Sequence, residues 1–342
     1  MNQRHHEAEY LDEVEPIGAG SSGTVWAPRG GEPAFKQEHR GREGSLENDF
    51  KMHEQVIRTL HILRKMKALN FEDDQSPQVQ ISECHRFIRP TDDEWWKANL
   101  KMFPNGFLPC NLIRSERIFP FADATKYLLV KNYCPPGITE FHMMTNKQDK
   151  DCLIRPYLGS RSQRPSVNPH EYRFTLRNFP LHQDQMEEIG IPMAGMKAYA
   201  AIMGETLAAM HWIGEVDGRD IEFVLAPAEC KEFKETDIIT NILGEHCMWV
   251  LDFDLCQDTT MDIQGVHQAV NAYWWSEPFM PRPESNSPLW KVFRDQYLKT
   301  SQNARIFGPG REGFSRFELA AMFIHLVEVE GVRRVERATS NG

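Results

Sequence analysis

Hydrophobic and polar positions change period several times along this chain. Between residues 11 and 37 short apolar runs alternate with Gly-rich turns, which predicts a β-hairpin. The next stretch, SLENDFKMHEQVIRTLHILRKM, sets Phe50, His53 or Glu54, Ile57, Leu60 and Leu63 at helical spacing, and Ser45 and Glu47 near its start are suited to capping. From Val79 to Val130 the pattern is irregular, with strands predicted at VQISECHRF and KYLLVKNY around a Pro-rich segment. Met196, Tyr199, Ala200, Met203, Leu207 and Met210 then recur at three and four, a helix apolar enough to be buried. FVLAP, IITNILG and CMWVLDFDL read as strands, the last two a hairpin's distance apart. Residues 262–275 and 314–329 read as helices, and the last dozen residues are expected to fray. Strands with one helix come first and helices with one hairpin follow. The expected fold is therefore α+β with two lobes, a small β-rich one over residues 1–135 and a mostly helical one over residues 136–342.

Composition narrows the class. At 342 residues and 41% hydrophobic the chain can bury a sizeable core. No stretch approaches the roughly 20 apolar residues of a membrane span, and MNQRHHEAEY lacks the apolar segment of a secretion signal, so a cytoplasmic protein is expected. Seven scattered cysteines form no C-x-x-C pair, which supports neither a disulfide framework nor a structural zinc site.

A net charge of −10 argues against a surface that wraps nucleic acid throughout, and no DNA partner is expected. One segment departs from that balance. Arg155, Arg161, Arg164, Arg173 and Arg177 lie among Tyr157, Tyr172 and Phe174, a mixture suited to phosphate contacts with base stacking; the alternative is a solvated, salt-bridged loop.

In IGAGSSGTVW, Gly18, Gly20 and Gly23 fall in G-x-G-x-x-G followed by Val25, similar to the phosphate-covering hairpin of protein kinases. Lys36 follows thirteen residues later and Glu54 eighteen beyond it, where that family has its strand lysine and ion-pair glutamate. In EVDGRDIEFVL, Asp217 is followed at the fifth position by Glu222 and an apolar strand, and VLDFD sets Asp252 where the metal-binding aspartate would be. The chain departs from the family at Glu222, at Asp254 and at Glu215-Val216, each change adding negative charge or removing positive charge. It also lacks an activation segment ending in A-P-E. The resemblance implies a two-lobed protein-kinase-like fold, and ordinary protein phosphorylation does not follow from it.

DGRDIEFVLAP, VLDFDLCQD and WWSEPFMPRP also resemble a family of filamentous-fungal proteins described as hypothetical or as zinc-finger proteins, which includes the arginine-containing cyclodipeptide synthases. That resemblance implies a tRNA-dependent aminoacyltransferase of secondary metabolism. Such an enzyme takes arginine from arginyl-tRNA and a second residue from another aminoacyl-tRNA, and releases a cyclic dipeptide (a 2,5-diketopiperazine) without a cofactor. A guanidinium pairs best with carboxylates, so Asp217, Asp220 and Glu222 would act on the substrate while Asp252 and Asp254 hold its arginine. The arginine segment would then meet tRNA phosphates. Ser21, Ser22, Cys247 and Cys256 are nucleophile candidates by position only.

Two alternatives stay open. In an ATP- and magnesium-dependent phosphotransferase, Gly18 to Gly23 and Lys36 hold phosphates, Glu54 pairs with Lys36, and Asp252 with Glu222 holds the metal. The other is an inactive kinase-like binding protein. Trp95-Trp96 and Trp274-Trp275 would line an aromatic pocket or serve as packing.

Overall fold

The computed structural model describes residues 13–340 apart from 21–22, 40, 42–43, 70–75, 136–139, 147–148, 163–173, 229–232, 277–278 and 286–287. In chain order the elements are β1 (Val14–Ala19), β2 (Gly23–Pro28), β3 (Ala34–Glu38), α1 (Ser45–Leu69), β4 (Gln80–Ile81), β5 (Cys84–Ile88), α2 (Asp93–Asn99), β6 (Leu112–Ser115), α3 (Asp123–Tyr133) and α4 (Glu140–Thr145). There follow β7 (Ile154–Tyr157), β8 (Phe179–His182), α5 (Gln183–Glu188), α6 (Met193–Trp212), β9 (Glu222–Pro227), β10 (Ile239–Asn241), β11 (Gly244–Leu251), α7 (Ile263–Trp275), α8 (Pro288–Asn303) and α9 (Arg316–Ser340). The protein is thus of mixed α+β type. Its contacts group into two compact units, Met1–Phe50 with Ser82–Ile118 and Lys51–Ile81 with Phe119–Gly342. The boundary anticipated near residue 135 falls inside the second.

The first unit is a five-stranded antiparallel sheet in the order β1-β2-β3-β6-β5. The predicted hairpin is its first turn of chain, extended by β3 into a meander. Phe35, Ile88, Trp96, Phe103 and Leu112 form its core. Phe107 stacks on Phe103 at 4.3 Å and meets Trp26 edge-on at 5.6 Å, so Trp95-Trp96 serves packing here. Helix α1 starts at Ser45 with Glu47 in its first turn, as the sequence suggests. Glu38 at the end of β3 also serves this helix start: its Oε1 accepts from Gly44 N (2.9 Å) and Leu46 N (3.1 Å), and Asn111 Nδ2 donates to its Oε2.

The glycines of the hairpin are not equivalent. A Cβ on Gly23 would lie 2.2 Å from the Gln37 carbonyl of β3, whereas one on Gly20 would meet nothing within 4 Å. Gly23→Ala should therefore cost about 1–3 kcal/mol through forced strand separation, and Gly20→Ala should leave stability within about 0.5 kcal/mol. Urea denaturation of the two variants checks this, and equal losses would contradict it.

The second unit is built on a sheet in the order β10-β11-β9-β7-β8, with β4 added in parallel to β11. β7 and β8 run parallel, and all other pairings on this path are antiparallel. Helix α6 is buried on nearly every side from Met196 onward, as an all-round apolar sequence demands. It approaches α8 so closely that a Cβ on Gly204 would lie 2.5 Å from the Phe293 carbonyl. Its one buried carboxylate, Glu205, is met by Lys67 (2.9 Å) and Gln296 (3.1 Å).

Several expectations need correction. KYLLVKNY is helix α3, not a strand: Thr125 and Leu129 share a buried face at a spacing of four, and the run Leu128-Leu129-Val130 never alternates. VQISECHRF is broken into β4 and β5, which pair in different sheets. Helix α8 was not anticipated, although Leu289, Trp290, Phe293 and Tyr297 recur at helical spacing behind a favourable first-turn proline. Residues 331–340 do not fray: α9 continues to Ser340, and Arg333, Arg334 and Arg337 gather around Glu330. Among the described residues no helix is long and apolar enough to cross a membrane.

Candidate functional site

The acidic loop leaves the end of α6 under tight backbone control. Val216 N donates to Met210 O (2.9 Å), Asp217 N to Gln257 O (3.0 Å) and Thr259 N to Glu215 O (2.8 Å), tying residues 214–217 to 257–259. From α1, Gln55 donates to Gly214 O (2.8 Å) and to Asp258 (3.1 Å), and Lys51 pairs with Asp258 at 2.6 Å. Below the loop, Trp212 Nε1–H donates to the Tyr297 hydroxyl, which meets His211 Nδ1 (2.8 Å), while His211 Nε2 faces the Asp217 carbonyl at 3.1 Å.

The carboxylates of this loop do not form one open cluster, as their spacing suggested. Glu215 pairs with the buried Arg316 at 2.6 Å. Glu222 pairs with Arg155, which reaches it from the neighbouring strand β7. Asp217 points inward: Oδ1 accepts from Arg219 N (3.1 Å) and Gln257 N (3.0 Å), and Oδ2 accepts from Gln268 Nε2 (2.9 Å). Burial raises its pKa, and those hydrogen bonds pull the other way. Two of the cations this acidic stretch calls for are therefore the protein's own arginines.

Asp220 differs from the others. Its backbone is left-handed (φ 62°), as is that of Asp252 (φ 66°), a conformation that aspartate tolerates better than most residues and that gathers at functional sites. Its pKa is raised, first by burial and then by the Asp252 carboxylate, against the opposing pull of Arg219 and Arg155. Ser276 Oγ accepts from Asp220 N (3.1 Å), so the end of α7 fixes this corner. Asp254 is buried two residues beyond Asp252. Arg219 lies over the exposed ring of Trp275 at 4.3 Å, and its carbonyl accepts from Cys256 Sγ. Trp274, by contrast, is buried and sandwiched by Arg282 (4.5 Å) and Arg334 (4.3 Å).

The arginine segment is not a continuous free patch. Arg155 is committed to Glu222, and Arg161 faces Glu187 at 3.2 Å. Phe174 is buried, and Tyr157 packs edge-on against His182 and Phe279, which removes two of the aromatic faces expected to stack on bases. Arg177 is half-buried. Arg164, Arg173 and Tyr172 lie outside the described residues, as do Ser21 and Ser22. Cys247 and Cys256 are fully buried. In the first unit Lys36 pairs with Asp49 at 2.6 Å, five residues before Glu54 on α1; Gly20 N donates to Gly23 O at the β1–β2 turn, and Gly18 lies opposite Val25 in the ladder.

Glu222, which with Asp252 would hold magnesium in the phosphotransferase alternative, has its Oε2 engaged by Arg155. Among the described residues no three His, Cys, Asp or Glu side chains are grouped to hold a metal.

Sequence reasoning missed Arg316, Gln268 and Ser276, the residues that neutralise or position the loop. Each lies 50 or more residues away and carries no local signal. It also missed Ser160 and His182, whose contact across 22 residues appears only once β7 and β8 are paired.

A family model described as "Zinc finger protein" matches residues 248–306. That stretch contains one cysteine, Cys256, and one histidine, His267, too few ligands for a zinc finger. No curated protein matches the chain.

Proposed function

We propose that this protein is an arginine-containing cyclodipeptide synthase, drawing arginine from arginyl-tRNA and a second residue from another aminoacyl-tRNA. The observation that carries this reading is the convergence of the three stretches resembling that family. Asp220 of DGRDIEFVLAP is bonded to Ser276 of WWSEPFMPRP and lies within electrostatic reach of Asp252 in VLDFDLCQD, while Arg219 stacks on Trp275. The matched family model spans two of the three.

In this reading Asp220 and Asp252 hold the guanidinium, whose five donors suit two converging carboxylates. Asp217 and the Glu222–Arg155 pair fix the loop that carries them. The aminoacyl ester is already activated, so no ATP enters the peptide-forming steps. Purified protein given arginyl-tRNA, a second aminoacyl-tRNA and no ATP should release an arginine-containing cyclic dipeptide, detected by mass spectrometry. Asp220→Asn should lower the yield about 100-fold or more, the scale of a lost charge-assisted contact or two. Release of no cyclic dipeptide from any pair of charged tRNAs would refute the proposal.

A second reading, an ATP-dependent phosphotransferase on a kinase-like fold, draws support from the Lys36–Asp49 pair, whose lysine lies on β3 opposite Val25 of the Gly-rich hairpin. It predicts magnesium-dependent thermal stabilisation by ATP that disappears in Lys36→Ala.

A further inference from the structure

The strands β7 and β8 run parallel, and the chain leaving β7 folds back over the start of α5. Leu158 N donates to Phe279 O at 3.0 Å, and Ser162 donates to Asp184 through both its backbone N (2.7 Å) and its hydroxyl. Held between these two anchors, Ser160 Oγ lies 2.8 Å from His182 Nδ1. His182 is the register partner of Tyr157 and packs edge-on against that ring at 5.1 Å; its backbone N–H is held by Gln185 Oε1 at 2.9 Å. The serine hydroxyl and the imidazole are thus fixed from independent sides at a distance that permits proton transfer.

This pair is connected to the acidic loop. Two positions before Tyr157 on β7, Arg155 forms the ion pair with Glu222. Strand β7 thus carries both the arginine that pairs with Glu222 and the tyrosine that packs on His182. Burial favours neutral His182, the form a base requires, while the Asp184 carboxylate favours the imidazolium that a base becomes. The Ser162 hydrogen bonds help to keep Asp184 ionised.

We propose that Ser160 is an acyl-accepting nucleophile and His182 its general base. The assignment of an aminoacyl ester as acyl donor rests on the synthase reading above. Ser160 Oγ attacks the ester carbonyl carbon, and its proton passes to His182 Nδ1. Collapse of the tetrahedral adduct breaks the bond to the ribose oxygen, which takes that proton and leaves as the free hydroxyl of the tRNA. The aminoacyl group remains as an ester on Ser160. The amine of a second aminoacyl-tRNA then attacks this ester, forming the first peptide bond and returning the serine hydroxyl.

A fluorophosphonate probe tests the dyad without any tRNA, because it modifies only an activated hydroxyl. Peptide mapping should find the adduct on Ser160, absent in Ser160→Ala and formed at least tenfold more slowly in His182→Gln. Reaction with radiolabelled arginyl-tRNA alone, followed by acid quench, should leave label on the protein that hydroxylamine releases. Should Ser160→Ala fail to fold, Ser160→Cys retains an attacking atom and should carry the label as a thioester. An adduct confined to other residues, no adduct at all, or wild-type cyclic dipeptide formation by folded Ser160→Ala would overturn the proposal. Labelling of Ser160 in a protein that makes no cyclic dipeptide would uphold the dyad and refute only the synthase reading.

Discussion

Acidified from pH 7 to pH 4, this protein should lose up to about 6 kcal/mol of folding stability through two buried histidines. His211 and His246 are completely enclosed, and burial lowers the pKa of each from 6.5 to about 4. Their hydrogen bonds suit the neutral ring. His211 receives the Tyr297 hydroxyl at Nδ1 and donates from Nε2 to the Asp217 carbonyl; His246 donates from Nδ1 to Gly244 O (2.8 Å) and receives the Tyr199 hydroxyl at Nε2 (2.7 Å). A second proton would oppose two hydroxyls already engaged, Tyr297 by Trp212 and Tyr199 by Asn241.

The folded pKa lies below the unfolded one, so the unfolded chain binds protons first as pH falls. The associated stability is complete above about pH 6.5 and drains away as pH approaches 4. The gap between 6.5 and about 4 corresponds to about 3 kcal/mol per imidazole. Asp217 and Asp220 have raised pKa values and take up protons earlier in the folded state, so they offset part of the loss. Urea denaturation at pH 7, 6, 5 and 4.5 should show the decline, and His246→Gln should flatten it by about half. Constant stability between pH 7 and pH 5 would contradict the account.

These two histidines also mark where the sequence stops informing. His211 and His246 look like any other histidine in the chain; burial by the tertiary fold keeps them neutral, and their hydroxyl partners Tyr297 and Tyr199 lie 86 and 47 residues away. Elements with a strong local period were legible. The methionines and alanines of α6, the β10–β11 hairpin and the spacing of Phe50 to Leu63 in α1 stand where the pattern put them. The failures occur where composition stood in for period, as in α3, or where a breaker was overlooked, as at Ser82-Glu83 between β4 and β5. At the candidate site the acidic residues were visible, but their partners were not. Whether a carboxylate awaits a ligand or already faces Arg155 or Arg316 is decided by tertiary contact, about which a run of acids says nothing.

Asp217 is the residue for which that distinction has the largest consequence. A catalytic base needs an accessible lone pair, yet the Asp217 carboxylate already receives two backbone N–H groups and the Gln268 amide. Asp217→Ala would orphan all three donors in a buried site at about 1 kcal/mol or more each, so a loss of about 3 kcal/mol is expected. The loop carrying Asp220 would lose its anchor, and product formation should fall at least 100-fold. Asp217→Asn keeps one oxygen for the two backbone donors, and Gln268 can turn its carbonyl towards the new amide at the expense of its bond to Asp258 O (3.2 Å). That variant should lose only about 1 kcal/mol and retain activity to within about tenfold, with an unshifted pH profile. Asp220→Asn, in contrast, should keep full stability and lose activity. A protein carrying Asp217→Asn that denatures at the wild-type urea concentration yet makes no product would put the Asp217 carboxylate into the chemistry itself, because only its charge would then have been missing.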